Sequence, residues 1–275
     1  MISKMIIKIL GLGKKGSTIN PDFLIIVPLF VILSLFAPLL AQDRGPEILK
    51  KVEDRTIGDK APADIQAEMI MVIRSARGEE KRRELMVWTK KNPGKDSWRL
   101  MKFLAPADIK DLGFLVLADD LMYLYMPEFQ RVRRIASHNK KENFVGSDFS
   151  YDDLGTSGYS NYYEAKLKEE NDRFWVLELQ RKPGAKKQYM KIVLTVDKAT
   201  ELPTRAELYD DRGQLFKLET QENSQIGQYW IPTKFTMDNI KTGSRTTLEL
   251  KNIRVDQNLS AEIFTERNLR QSVTR

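Results

Sequence analysis

Few side chains in this sequence could carry out catalysis or hold a metal. His138 is the one histidine among 275 residues, and there is no cysteine. A site built from several histidines or cysteines is therefore excluded. Ser137 precedes His138 and could imitate a hydrolase triad with a distant aspartate, but neighbours on an irregular segment rarely face each other in that way. Because Lys140 and Lys141 follow closely, we interpret this stretch as a solvated loop. With no other candidate for a catalytic site, we expect no enzymatic activity and no cofactor.

The tightest acidic cluster consists of three aspartates: Asp148, Asp152 and Asp153. A cation site needs several converging oxygens, and nothing in the segment resembles an EF-hand loop. The spacing of Ser150 and Asp153 instead favours a capping box at the start of a short helix. The side chains that would pin this helix to a sheet are Phe149, Tyr151 and Leu154. Contact with a partner and metal binding are the alternatives for the cluster.

Three arginines follow Pro127 on a predicted strand: Arg131, Arg133 and Arg134. Side chains alternate along a strand, so the first two share one face and the third takes the other. Guanidinium groups suit phosphate and carboxylate, so contact with an anionic headgroup or an acidic partner is one interpretation. The alternative is an edge strand that charge protects from aggregation. Basic and aromatic residues do not combine into a platform for nucleic acid.

The first 41 residues have the pattern of a signal peptide. Four lysines precede an uncharged apolar run over 23–41, and small Ala41 stands before polar Gln42. A helix of that run would be about 28 Å long, so a retained membrane anchor is the alternative to cleavage. We expect export to the periplasm. Residues 42–275 then form one domain that is stabilised by its core, because disulfides are impossible.

Hydrophobic periodicity predicts one helix followed by many strands. The helix covers 45–59, with Pro46 in its first turn and Gly58 at its end. From Ile65 onward the period is two, with Met69, Met71 and Ile73 on one face of the first strand. Two early strands are predicted around 69–73 and 85–87. The later predicted strands cover 97–104, 114–117, 121–126, 129–135, 162–168, 174–181, 188–197, 205–210, 214–221, 229–238 and 245–255. Short turns between them favour an antiparallel meander that curls into a barrel or half-barrel.

Several of these strands are apolar on both faces, most clearly over 121–126, 174–179 and 189–194. A sheet with one solvated face should alternate apolar and polar residues. The second face therefore needs a cover of helices, or a helix together with a cavity for an apolar ligand. Methionine adapts to varied acyl chains, although ordinary core filling is the alternative. The candidates for the cavity wall are Met69, Met71, Met86, Met101, Met122, Leu124, Met126, Trp175, Leu177, Met190 and Ile192.

The stretch 123–154 contains three motifs in a fixed order: Tyr-Leu-Tyr-Met-Pro, Arg-Val-Arg-Arg-Ile and Gly-Ser-Asp-Phe-Ser-Tyr-Asp-Asp-Leu. Together they resemble the signature of the LolA-like family, bacterial proteins related to the periplasmic carrier of outer-membrane lipoproteins. The resemblance extends roughly over 82–269 and departs at 111–113, where a glycine and a small hydroxylated residue would be expected directly after Lys110. It implies a mainly β fold, an incomplete antiparallel β-barrel whose concave apolar face is covered by a few helices over a lipid cavity.

The function implied by this resemblance is that of a non-enzymatic periplasmic carrier or chaperone. It would bind the acyl chains of lipoproteins or lipids for sorting to the outer membrane. An inner-membrane transporter and an outer-membrane acceptor are possible partners, with transient contact to membrane surfaces and none to nucleic acid. Two alternatives stay open: an accessory subunit docked to an inner-membrane export machine, and a hydrolase that uses an unrecognised carboxylate.

Overall fold

The computed structural model describes residues 43–92, 94, 96–155 and 158–273, so the predicted signal peptide lies outside the described residues. The described chain is mainly β, with one antiparallel sheet of thirteen strands and two α-helices. The helices are α1 (Gly45–Thr56) and α2 (Glu266–Leu269). The strands are β1 (Asp64–Arg74), β2 (Glu80–Lys90), β3 (Trp98–Ala105), β4 (Gly113–Ala118), β5 (Leu121–Met126), β6 (Arg131–Arg134), β7 (Tyr163–Glu170), β8 (Phe174–Arg181), β9 (Lys191–Asp197), β10 (Leu202–Tyr209), β11 (Leu215–Ile226), β12 (Tyr229–Asn239) and β13 (Arg245–Val255).

The sheet consists of two meanders that are joined through its first and last strands. The strand order is β6-β5-β4-β3-β2-β1-β13-β12-β11-β10-β9-β8-β7. Met69 and Met71 of β1 lie opposite Leu250 and Leu248 of β13. Because β6 and β7 form the two free edges, the sheet does not close, which confirms the predicted incomplete barrel. The crossover segment, described over residues 135–155 and 158–162, lies between these two edge strands in the sequence.

The inner face of the sheet, which carries Met69 and Met71, is covered by two different elements. Helix α1 contacts β7, β8 and β10. The crossover segment covers the other half, where the ring of Phe144 lies 5.9 Å from that of Phe103 and 5.2 Å from that of Phe114. Both covers belong to one buried cluster with the sheet. The inner face is thus covered by a helix and an irregular segment, rather than by several helices.

Helix α1 forms because its apolar residues fall on one side. Ile48, Leu49 and Val52 are buried, and Pro46 occupies the first turn, where a missing N–H costs nothing. At Gly45 the chain passes so close to β7 that an added Cβ would lie 2.6 Å from the carbonyl oxygen of Ala165. The helix ends at Thr56, three residues before the predicted boundary.

The outer face of β3 and β4 is also covered, by the C-terminal end of the chain. Leu100 and Leu115 are completely buried there against Phe264 and Leu269. The ammonium group of Lys102 donates to the carbonyl oxygen of Asn268 over 2.8 Å. Of the strands predicted to be apolar on both faces, β5 joins this outer cluster through Tyr123 and Tyr125.

The strand predictions differ from the structure at a few boundaries. Predicted strand 129–135 is shorter because Pro127–Phe129 forms a 3-10 turn ahead of β6. Predicted strand 188–197 begins later, at Lys191, so Met190 precedes it. Strand β11 continues to Ile226 beyond the predicted end at 221. Residues 222–225 are all polar, so they lack the alternation on which the prediction depended.

Candidate functional site

A cavity of about 360 Å³ lies between α1, the crossover segment and the inner face of the sheet. Its wall is largely apolar. The apolar side chains from the helix and the sheet include Val52, Ala67, Met69, Val87, Met101, Ile192, Ala206, Leu208 and Leu248. The crossover segment contributes Phe149 and Leu154. Thr56 is exposed and Trp230 half-buried in the same wall, which indicates an opening between the end of α1 and the β11–β12 hairpin.

The structure brings three of the predicted wall residues to this cavity: Met69, Met101 and Ile192. Most of the others pack in the core around it, namely Met71, Met122, Leu124, Met126 and Leu177. Trp175 belongs to the same core, with the ammonium group of Lys51 on α1 5.5 Å from its ring centre. These residues support the wall without lining it.

Two predicted wall residues lie elsewhere. Met86 alternates along β2 with Val87, which lines the cavity, so its side chain is on the outer face. Met190 is half-buried ahead of β9 and lies outside the main buried cluster. Both residues were predicted to line the cavity because they are methionines. For Met86, the alternation of side chains along its strand already indicated the face opposite to that of Val87.

The crossover segment contains the two hydrogen bonds of the predicted capping box. The backbone N–H of Ser150 donates to Asp153 Oδ2 over 2.8 Å, and the N–H of Asp153 donates to Ser150 Oγ over 3.1 Å. The segment 151–154 that follows is a turn, so the predicted short helix is absent. The three predicted anchors, Phe149, Tyr151 and Leu154, are buried. The motif therefore fixes the part of the crossover segment that closes the cavity.

Beside this turn lies a buried charge cluster of Asp119, Lys140, Asp152 and Lys187. The carboxylate of Asp119 forms ion pairs with the ammonium groups of Lys140, at 2.8 Å, and Lys187, at 2.5 Å. Lys187 also pairs with the carboxylate of Asp152 at 2.8 Å. Burial alone would raise the pKa of Asp119, but the two ammonium groups outweigh it and hold the pKa below its ordinary value. The prediction that Lys140 belongs to a solvated loop is wrong, since its side chain is only 5% exposed.

The three aspartates of the predicted acidic cluster have separate partners. Asp148 accepts from the hydroxyl group of Thr246 over 2.7 Å, and Asp153 accepts from that of Tyr189 over 2.9 Å. Lys217, whose side chain is fully buried, lies 3.4 Å from Asp153. Within the described ranges, no group of three histidine, cysteine, aspartate or glutamate residues is arranged to hold a metal ion.

The cavity wall also includes charged side chains, those of Arg55, Arg99, Asp152, Asp153, Lys187 and Glu219. The Nη1 atom of Arg99 donates to the carbonyl oxygen of Leu154 over 2.9 Å, and burial lowers the pKa of this arginine to about 10. Burial raises the pKa of Glu219 to about 7, while the side chain of Gln221 donates to Glu219 Oε1 over 2.6 Å. The sequence analysis identified neither Arg99 nor Glu219, because a charged residue within an alternating strand resembles a solvent-facing one.

The three predicted contact arginines lie on the edge strand β6 and are exposed. Arg131 and Arg133 pair with Met126 and Leu124 and share their face, while Arg134 pairs with Tyr123 on the other. Arg134 does not point into the core; its Nη2 atom donates to the carbonyl oxygen of Asp120 over 2.8 Å. At the tip of the same hairpin, Phe129 is 59% exposed. His138 is exposed in a nearby 3-10 turn, as predicted.

Among the described residues, no helix has the length and apolar character needed to cross a membrane.

The comparison with known families and structures agrees with the half-barrel. A family model described as an uncharacterized protein matches residues 94–271. A domain from Vibrio parahaemolyticus assigned to outer membrane lipoprotein sorting is 29% identical, with a TM-score of 0.75 over 83% of this chain and 99% of that chain. The chain belongs to the LolA-like family.

Two further solved structures have the same LolA-like fold. A DUF1329 family protein from Desulfovibrio piger is 28% identical, with a TM-score of 0.76 over 82% of this chain and 99% of that chain. A LolA superfamily protein from Nitrosomonas europaea is 20% identical, with a TM-score of 0.65 over 82% and 98%. No curated protein sequence matches the chain significantly.

Proposed function

We propose that the chain is a non-enzymatic periplasmic carrier that holds the acyl chains of lipoproteins or lipids for sorting to the outer membrane. The observation that carries this proposal is the apolar cavity enclosed by α1, the crossover segment and the sheet in a LolA-like fold. The assignment of the Vibrio parahaemolyticus relative to lipoprotein sorting supports it. Catalysis by His138 has no support, since this side chain is exposed and is not part of the cavity wall.

The size and lining of the cavity suit a flexible apolar ligand. Small-molecule sites range from roughly 300 to 1,000 Å³, and 360 Å³ lies within that range. Each buried CH₂ group contributes about 0.8 kcal/mol, so a long acyl chain gains on the order of 10 kcal/mol before the cost of ordering it. Met69 and Met101 in the wall can adjust to chains of different length.

A matched pair of methionines tests the site. Displacement of an apolar fluorophore by palmitate should give a micromolar or tighter dissociation constant for the parent protein. Met69→Gln adds a polar amide to the cavity wall and should weaken palmitate binding about tenfold, because desolvating an unpaired amide costs about 1–3 kcal/mol. Met86→Gln places the same change on the outer face and should leave binding unchanged.

The proposal fails if the folded parent binds no acyl chain, which would leave the accessory-subunit hypothesis. It fails equally if both glutamine variants lose binding to the same degree, since binding would then not depend on the cavity wall.

We further propose that the β5–β6 hairpin makes transient contact with anionic membrane surfaces. Exposed Phe129 at its tip supplies an apolar side chain, and Arg131 and Arg133 share the side of the edge strand beside it. An arginine near an anionic surface contributes about 1 kcal/mol, and an apolar side chain adds burial at the interface. The hairpin thus combines two features that favour a lipid surface.

Replacing Arg131 and Arg133 together by glutamine should reduce binding to vesicles that contain anionic lipid about tenfold at low salt. The loss should shrink as salt is added, because exposed charges are screened over roughly 10 Å at 0.1 M salt. A variant with Arg77→Gln and Arg212→Gln has the same net charge and changes two exposed arginines elsewhere. Equal vesicle binding by the two variants would contradict the contact, and protection of the edge strand would remain as the explanation.

A further inference from the structure

Arg99, which is half-buried, differs from most of the buried lysines of the chain. Lys140, Lys187 and Lys217 each lie within 4 Å of an aspartate. Arg99 has no acidic side chain within that distance in the described part of the chain, and its hydrogen bond goes to the backbone oxygen of Leu154. This guanidinium group therefore lines the cavity without a directly paired carboxylate, although Asp152, Asp153 and Glu219 line the same cavity.

A half-buried cation without a counter-ion bears part of the desolvation cost of a buried charge, and a ligand that brings an anion would relieve that cost. A guanidinium group has five N–H donors in a planar fork that fits carboxylate and phosphate oxygens. Among the residues that the structure describes, the carbonyl oxygen of Leu154 accepts from one of them. The remaining donors can bind an anionic group that enters the cavity.

We propose that the cavity selects amphiphiles with an anionic headgroup, a carboxylate or a phosphate, which pairs with Arg99 while the alkyl chain packs against Met69, Met101 and Leu248. This inference rests on the proposed acyl-binding function and deepens it. Met101 follows Arg99 by two residues on β3, so both side chains are on the inner face and both line the cavity. The head site and the chain site are therefore contiguous.

Asp152 and Asp153 line the same cavity, each within 4 Å of a lysine, Lys187 and Lys217 respectively. Glu219 lines it too and would repel an anion when it is ionised. Its pKa of about 7 means that most molecules carry a neutral Glu219 at pH 6. Binding at pH 6 thus isolates the effect of Arg99 from this repulsion.

The test compares three 16-carbon ligands at pH 6 by fluorophore displacement: hexadecyl phosphate, palmitate and hexadecanol. The parent protein should bind the preferred anion at least tenfold more tightly than the alcohol, and the stronger of the two anions identifies the headgroup. Arg99→Gln should remove this preference and leave the affinity for hexadecanol within about twofold. Arg99→Lys keeps a cation and should retain part of the preference.

Arg83→Gln is the matched control. Arg83 is another half-buried inner-face arginine that donates to a backbone carbonyl of the crossover segment, that of Val145, but it does not line the cavity. Its variant should keep the preference for the anion. Equal affinity of the parent for all three ligands would overturn the inference even if Arg99→Gln failed to fold, and so would a preference that survives in folded Arg99→Gln. Failure to bind any of the three would instead reject the acyl-binding function itself.

Discussion

Replacing Ala206 with tryptophan is expected to reduce the affinity for long acyl chains at least tenfold while the protein stays folded. Ala206 is 3% exposed on β10, and its small side chain forms part of the cavity wall. A tryptophan at this position would extend into the cavity of about 360 Å³ and occupy the space of several CH₂ groups. Each excluded CH₂ removes about 0.8 kcal/mol of binding free energy, so the loss of two already gives about tenfold.

The free energy of unfolding distinguishes a filled cavity from a damaged core. Filling an empty space commonly leaves the free energy of unfolding unchanged or raises it, whereas overpacking a dense core lowers it by about 1–3 kcal/mol. Thr220→Trp adds the same bulk to an exposed position on the neighbouring strand β11 and should bind acyl chains like the parent. Palmitate displacement and urea unfolding on both variants provide the check. Unchanged binding in folded Ala206→Trp would place the acyl site elsewhere.

Replacing Asp119 with alanine is expected to lower the free energy of unfolding by about 3 kcal/mol at pH 7. This change leaves Lys140 and Lys187 buried and short of a counter-ion, and loss of one partner from a buried ion pair typically costs that much. Glu222→Ala removes the carboxylate of an exposed pair with Lys234, which has a comparable 2.7 Å contact, and should cost less than about 1 kcal/mol. Equal costs in urea unfolding would mean that the buried cluster does not hold the crossover segment.

The same cluster predicts how stability responds to acid. The folded-state pKa of Asp119 is below its ordinary value, so its carboxylate binds protons less readily in the folded state than in the unfolded chain. Its stabilising contribution is present above pH of about 4, the unfolded value, and is lost as the pH falls through the lower folded value. The difference between the parent and Asp119→Ala should therefore be full at pH 7 and shrink below pH 4. A difference that is constant over this range would exclude the charge as its source.

Local patterns were enough to predict much of the sheet. The bounds of β5, β8 and β13 agree with the predicted strands 121–126, 174–181 and 245–255. In each of them, turn-forming residues stand close to both ends of the strand. The order of the strands could not be obtained in this way, because the pairing of β1 with β13 joins parts of the chain that are far apart in sequence.

The candidate site was predictable only where apolar periodicity marks it. Met69 and Met101 were found because they are large and lie in alternating strands, whereas Ala206 gives almost no hydrophobic signal. The buried lysines were missed for another reason. Lys187 resembles a surface residue until Asp119, which is 68 positions away in sequence, is placed beside it. Whether a charge can be buried depends on such distant partners, and single-sequence patterns do not contain them.

The most direct test of the carrier hypothesis is native mass spectrometry of the full chain, expressed in a Gram-negative host and purified without detergent. The parent protein should show a second species that is heavier by the mass of one lipid, and collisional activation should release that lipid with an acyl chain. Ala206→Trp, purified in parallel, should lose this species, while Thr220→Trp should keep it. A parent protein that is free of lipid and takes up no added palmitate, or a lipid adduct of equal abundance in folded Ala206→Trp, would contradict an acyl-binding cavity at this position.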